Sequence, residues 1–258
     1  MFVDVERLRG WDDEEIARRW LRLCPPRGAR EGGVVQEYSP AFQGAIATLS
    51  ADAERLETCR DRLGDISWFM RFMNEGIARR ANREDAVTGR FWEGRFKSQV
   101  LLDEGAVLAC MAYVDLNPIR AGLTERVEES EFTSIQQRLA DASETRTTLT
   151  EPVGPVGFQA VSTCSPLACL SVGEYVELIE WSGRILREDK PCRIPADVAP
   201  VLERLHLDRT HWHSTVTDFN RGFHRAAGHW NRLRERADAI GRHWLQGLRI
   251  AHLTYTTT

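Results

Sequence analysis

Tyr113 and Asn117 stand four residues apart in the run Tyr113-Val114-Asp115-Leu116-Asn117-Pro118. On a helix, at about 100° per residue, the two side chains fall about 40° apart and share a face. A phenol and an amide oxygen stacked this way could share one metal-bound phosphate. The same spacing fits a core-edge aromatic followed by a C-terminal cap. Ala106 and Ala109 precede Tyr113 on that face, and their short side chains leave room for a strand to approach the phenol.

Upstream lies a second group. Residues 95–102 alternate, with Arg95, Lys97 and Gln99 pointing one way and Phe96, Ser98 and Val100 the other. That is the pattern of a half-buried strand. Arg95 and Lys97 share a strand face beside Phe91 and Trp92, and such a basic and aromatic mixture suits a single strand of nucleic acid. The size of Trp92 also predicts burial.

The remaining ligand-type residues are scattered. The six cysteines (Cys24, Cys59, Cys110, Cys164, Cys169, Cys192) form no C-x-x-C pair, which speaks against zinc and for dispersed thiols. All seven histidines lie after residue 205. His211-Trp212-His213 has the look of a chelating pair, but it falls in a predicted helix. There, residues two apart face about 200° away from each other and cannot hold one ion.

Composition bounds the rest. The chain has 258 residues, 42% hydrophobic and 28% charged, with a net charge of −4, which is ordinary for one or two globular domains. No apolar run approaches the ~18 residues of a membrane span, and Met1–Glu6 does not read as a secretory signal, so a cytoplasmic protein is expected. Charge is unevenly spread. From Arg71 to Lys97 seven basic residues face four acidic ones, and from Arg221 to Arg249 seven arginines face Glu235 and Asp238. Such patches fit an anionic partner, but solvated charge at helix ends accounts for them as well, and from charge alone the second reading is favoured.

The elements that must position these residues read mostly as helices. Asp12 to Glu15 open one that ends before Pro25-Pro26. Ser39-Pro40 starts another, predicted to run to about Leu63. Gly64-Asp65 opens a third, with Ile66, Phe69, Met70, Met73 and Ile77 as a core stripe and Arg79, Arg80 and Arg83 at its C-terminal end. Asp103 caps the Tyr113 helix, with Val107, Cys110, Met111 and Val114 as its core face, and Pro118 ends it near Asn117. Further helices are expected at 134–142, 172–186, 196–205, 209–223 and 228–245. Residues 143–165, rich in Thr, Ser, Pro and Gly, read as a linker between a 1–142 domain and a helical 166–258 extension.

The stretch GRFWEGRFKSQVLLDEGAVLACMAYVDLNPIRAGL, residues 89–123, resembles the second half of the single-tyrosine transposases of the HUH class, and most of all their REP-associated branch. Trp-x-x-Arg-Phe, a strand, an acid-capped helix and Tyr-x-x-x-Asn-Pro-x-Arg-Ala-Gly carry the likeness. Residues 66–82 and 131–135 extend it, and residues 174–190 look like an extension carried by one bacterial subgroup. The resemblance implies an α+β fold, the remnant of a ferredoxin-like domain, mainly helical in this chain. It implies DNA transposition at single-stranded DNA near hairpins, through a 5′-phosphotyrosine link. Tyr113 matches the nucleophile and Asn117 a metal ligand on the same helix. Arg120, with Trp92, Arg95 and Lys97, is a candidate for phosphate contact.

The family's other ligands to Mg²⁺ or Mn²⁺ are two histidines on an earlier strand. This chain begins with Phe2-Val3-Asp4-Val5, which resembles the end of that strand or the segment after it. The first strands and the metal pair are therefore expected to be missing, the metal unbound and the chain inactive in DNA cleavage. The 95–102 strand would then keep an unpaired edge that a homodimer could cover. The alternatives are a non-catalytic DNA-binding regulator, nucleoid-associated in the cytoplasm, and a protein-interaction module.

Overall fold

The computed structural model describes residues 4–144, 170–188 and 198–256, and these are mostly helical. They divide into two compact units, Met1–Lys97 and Ser98–Thr258. Within the second unit the Tyr113 helix packs with helices beyond residue 170. The expected linker lies, from residue 145 on, outside the described residues. Among the described residues no helix is long and apolar enough to cross a membrane.

In the first unit, α1 (Val5–Arg9) is capped by the Asp4 carboxylate, while Phe2 and Val3 lie outside the described residues. α2 (Asp13–Leu23) begins at Asp12, whose side chain accepts from the Glu15 N–H at 2.8 Å. A short antiparallel hairpin comes next, β1 (Arg30–Glu31) with β2 (Val34–Val35). The single helix expected from Pro40 to Leu63 is two, α3 (Pro40–Ser50) and α4 (Ala53–Gly64). Asp52 breaks it: its carboxylate accepts from the Arg55 N–H at 3.1 Å and starts a new helix instead of extending the old one. Ile16, Ala17, Phe42, Ile46, Leu49, Leu56 and Cys59 form this unit's core.

α5 (Ile66–Glu84) is a helix as predicted, with Asp65 as its cap, but it buries no residue. Its expected core stripe is open, with Phe69, Met73 and Ile77 at 49%, 40% and 43% exposure. The long alternating strand contracts to β3 (Val100–Leu101). β3 pairs in parallel with β4 (Ala226–Ala227), 126 residues away, which covers one edge of the strand in a two-stranded sheet.

The second unit is built around α6 (Glu104–Asp115) and a short α7 (Asn117–Arg120). Beyond them come α8 (Ser134–Glu144), α9 (Val172–Glu188), α10 (Ala199–Arg204), α11 (Trp212–Gly222), α12 (Trp230–Ala239) and α13 (Leu248–Thr254). α12 stops well short of 245, and α13 lay outside every sequence-based expectation. The core joins α6 to α9, α10 and α11 through Leu108, Leu116, Tyr175, Leu178, Leu202, Trp212 and Phe219, all at most 2% exposed.

Candidate functional site

The site is built on α6. Asp103 starts it by accepting from the Ala106 N–H at 2.8 Å. The helix buries its small face, Gly105, Ala106, Ala109 and Ala112, together with Leu108 and Asp115. The predicted face is displaced: Val114 is 55% exposed, and Val107, Cys110 and Met111 are only half-buried. Small side chains let another backbone come close, and α11 takes that space rather than a strand. Phe219 of α11 sits with its ring centroid 5.9 Å from that of half-buried Tyr113.

Asn117 does not continue the Tyr113 helix. Leu116 ends α6, and Asn117-Pro118 opens α7, with proline at a position where its missing N–H is harmless. The turn keeps Tyr113, Asn117 and Arg120 together. The Arg120 guanidinium carbon lies 3.9 Å from the Tyr113 ring centroid. Its Nη2 donates to Asn117 Oδ1 at 2.6 Å and its Nη1 to the Val216 carbonyl of α11 at 3.4 Å. A guanidinium over a phenol face is a cation–π contact, typically worth ~0.5–2 kcal/mol. Among the described residues Arg120 has no carboxylate partner, and the Tyr113 hydroxyl has no hydrogen-bond partner.

The opposite face of α6 carries a residue that sequence patterning did not single out. Asp115 is 1% exposed. Its carboxylate accepts from Ser134 Oγ at 2.9 Å, from the Ile135 N–H at 3.3 Å and from the Tyr175 hydroxyl at 2.6 Å. Burial, reinforced by this carboxylate, pushes the Tyr175 phenol well above its ordinary range. The network ties α6 to α8 and α9 and thereby fixes how far Tyr113 stands from its neighbours.

The residues present do not fit a divalent cation beside Tyr113. The one matched ligand, Asn117 Oδ1, is engaged by the cationic Arg120, which would repel a metal ion there. Among the described residues no group of three His, Cys, Asp or Glu side chains is placed to hold a metal ion. His211 is the N-cap residue of α11 and His213 lies in its first turn, where the sequence predicts both inside one helix. Trp212 between them is 1% exposed and donates from Nε1 to Ser182 Oγ at 2.8 Å, while His211 Nδ1 lies 3.0 Å from Asp208 Oδ1.

Trp92, Arg95 and Lys97 belong to the other unit and stand on exposed chain, not on a strand. Trp92 was predicted to be buried, yet it is 41% exposed. Its indole N–H donates to the Asn74 carbonyl of α5 at 3.0 Å, and its ring meets Phe91 edge-on at 4.9 Å. The second unit thus brings Tyr113, Asn117 and Arg120 together, while the other three candidates belong to the first unit. Phe219 and Val216, which complete the Tyr113 environment, had no signal in the sequence beyond lying on a predicted helix. Compared with models of protein families, with curated proteins and with solved structures, the chain matches none.

Proposed function

We propose that the chain is a DNA-binding protein of the single-tyrosine HUH transposase kind, a ferredoxin-like remnant that holds single-stranded, hairpin-forming DNA without cutting it. The observation that carries this reading is the Arg120 guanidinium, seated on the Tyr113 ring and bound to Asn117 Oδ1. In such transposases a tyrosine at this place in the motif attacks the scissile phosphate. Here a fixed cation without a carboxylate partner stands beside the phenol, suited to receive a phosphate oxygen. Among the described residues nothing is hydrogen-bonded to the phenol to take its proton, and a protonated phenol is a poor nucleophile. DNA transposition through a 5′-phosphotyrosine intermediate is the ancestral activity in this reading, and Mg²⁺ or Mn²⁺ is not part of the site as built.

The test is binding of a labelled single-stranded hairpin at low and moderate salt, with and without Mn²⁺, followed by denaturing electrophoresis. Binding that weakens steeply with salt and leaves no covalent adduct is the expected result. A covalent adduct that forms with this chain and not with Tyr113→Phe would overturn the non-catalytic part. Absence of binding to any DNA would overturn the whole reading. A second reading, a protein-interaction module, is favoured by the open apolar face of α5 at Phe69, Met73 and Ile77. It predicts association that is indifferent to salt.

A further inference from the structure

A cleft of about 480 Å³ in the Ser98–Thr258 unit is lined by His224, Arg225, Arg242, His243, Trp244 and Gln246, with Gly241 and Leu245 completing its wall. Among the described residues no carboxylate lines it. Arg225 and Arg242 have no carboxylate partner among the described residues. Arg221 and Arg232, also in the 221–249 segment, are paired with Asp218 at 3.8 Å and Glu235 at 3.1 Å. The nearest unpaired acid along the chain, Asp238, is in the penultimate position of α12 and does not line the cleft.

The cleft is held from beneath. Phe223, before the first pair of lining residues, is 1% exposed, and Leu245, between Trp244 and Gln246, is 5% exposed. The Val100 N–H donates to the Arg225 carbonyl at 3.0 Å, so the β3–β4 pairing fixes the backbone on one side. On the other side the loop turns at Gly247, with φ of +118°, where an added Cβ would stand 2.8 Å from the Phe223 ring. Burying Leu245 turns Trp244 outward, and its indole is 67% exposed. A large aromatic surface in water next to uncompensated guanidinium groups matches what a nucleotide offers, a base to stack and a phosphate to neutralise.

We propose that this cleft binds a single strand of nucleic acid, with a base stacked on Trp244 and the flanking phosphates on Arg225 and Arg242. The proposal rests on the DNA-binding reading and places that binding on a second site, away from Tyr113 in sequence and built from different elements. Acidic polypeptides would satisfy the arginines but leave the indole face unused.

The test uses the full chain and fluorescence anisotropy with labelled oligothymidylate of about 16 nucleotides, the upper end of one strand-binding site. A hairpin DNA, an RNA of matching length and polyglutamate serve as the other probes. Trp244→Ala is expected to weaken oligothymidylate binding about 5- to 100-fold, with partial recovery in Trp244→Phe. Arg225→Gln with Arg242→Gln is expected to reduce the slope of log K against log salt by about 1.4, near 0.7 for each phosphate. Arg9→Gln with Arg55→Gln, which removes the same charge from arginines that lie outside both basic patches and are paired with Glu6 and Asp52, should leave that slope nearly unchanged.

If the wild type binds hairpin or single-stranded DNA and the cleft variants bind equally well, the cleft proposal falls and the DNA-binding reading stands. If the wild type binds no nucleic acid at low salt, both fall. Tighter binding of polyglutamate than of oligothymidylate would overturn the proposal in favour of an acidic protein partner. RNA bound as well as DNA supports stacking on Trp244 as the mode and identifies the cleft as indifferent to the sugar. All the substituted side chains are exposed, so unchanged circular dichroism is expected throughout.

Discussion

Tyr175→Phe tests how the Tyr113 helix is held. The substitution removes one oxygen atom from a fully buried ring and leaves its packing among Leu178, Ile179 and the α6 face intact. What is lost is the 2.6 Å hydrogen bond to the Asp115 carboxylate. That carboxylate is 1% exposed and, among the described residues, keeps Ser134 Oγ and the Ile135 N–H as donors, so water cannot replace the missing donor without opening the α6–α9 contact. A hydrogen bond to a charged group is worth about 1.5–3 kcal/mol, and about 2 kcal/mol is the expected loss here. At roughly 2–4 °C per kcal/mol for a domain of 150 to 250 residues, the melting temperature of the second unit should fall about 4–8 °C. Urea denaturation followed by near-ultraviolet circular dichroism gives the free energy. A cycle with Ser134→Ala should be non-additive, because both donors serve one carboxylate. A loss below about 0.5 kcal/mol for Tyr175→Phe, within the scatter of surface substitutions, would mean that the carboxylate finds another donor and that this network does not set the position of α6.

Other outcomes rest on the same geometry. Tyr113→Phe should leave stability within about 0.5 kcal/mol of wild type, since the hydroxyl makes no hydrogen bond, whereas Tyr113→Ala loses the contacts to Phe219 and Arg120 and should cost about 2–3 kcal/mol in chemical denaturation. Asp103→Ala should cost about 3 kcal/mol by the same assay, because this carboxylate caps α6 at Ala106 and also accepts from the Tyr255 hydroxyl and the His229 N–H, each at 2.6 Å. Burial holds the His229 imidazole below its ordinary pKa of 6.5, with Asp103 opposing it, so folding favours the neutral ring. Its contribution is complete above that pH and is lost as the pH falls through the lowered value. Urea midpoints should decline on that side and decline less in His229→Gln. Glu174 is partly desolvated, but hydrogen bonds from Ser171 and the charge of Arg204 win and hold its pKa below the usual 4.5. Glu174→Gln should therefore lose about 0.5–1 kcal/mol at neutral pH and remove part of the acid-induced loss below pH 4.5.

The helices were legible where a side chain competes for backbone N–H groups at an end. Asp12, Ser39, Asp65 and Asp103 each cap the helix that the sequence predicts. Asp52 uses the same chemistry, but it lies inside an otherwise continuous helical pattern that hides the break. What lay beyond reach was which face meets a neighbour. α5 shows an apolar stripe and keeps it open, and α6 buries its alanines instead of its bulkier residues because α11 packs close. Alternation marked the 95–102 segment as strand, yet only Val100 and Leu101 pair, and their partner Ala226-Ala227 carries no strand signature. At the site, Tyr113, Asn117 and Arg120 are neighbours along the chain and were legible together. Phe219 and Val216 come from a helix 100 residues away. Asp115 left a faint trace, a lone carboxylate inside an apolar helix with no basic residue three or four positions before or after it, apart from the acid-capped start. The cleft around Trp244 left one too, in the excess of arginine from 221 to 249.

The reach of the Asp103 contacts has a consequence for how the protein is made. In the first unit the ties are local; Arg60 closes back on Leu8 over 52 residues. In the second, the Asp103 carboxylate must find Tyr255, 152 residues later, and β3 must find β4 over a similar span. At ribosomal speeds of about 5–20 residues per second, that partner emerges on the order of 8 to 30 s later. During this interval the alanine face of α6 and the Asp115 carboxylate stand without α9 and α11, and the high contact order makes closure slow even after release. Newly made chains should thus carry a finished first unit joined to an unfinished second one, a state suited to capture by chaperones and exposed to proteases until the last helix arrives.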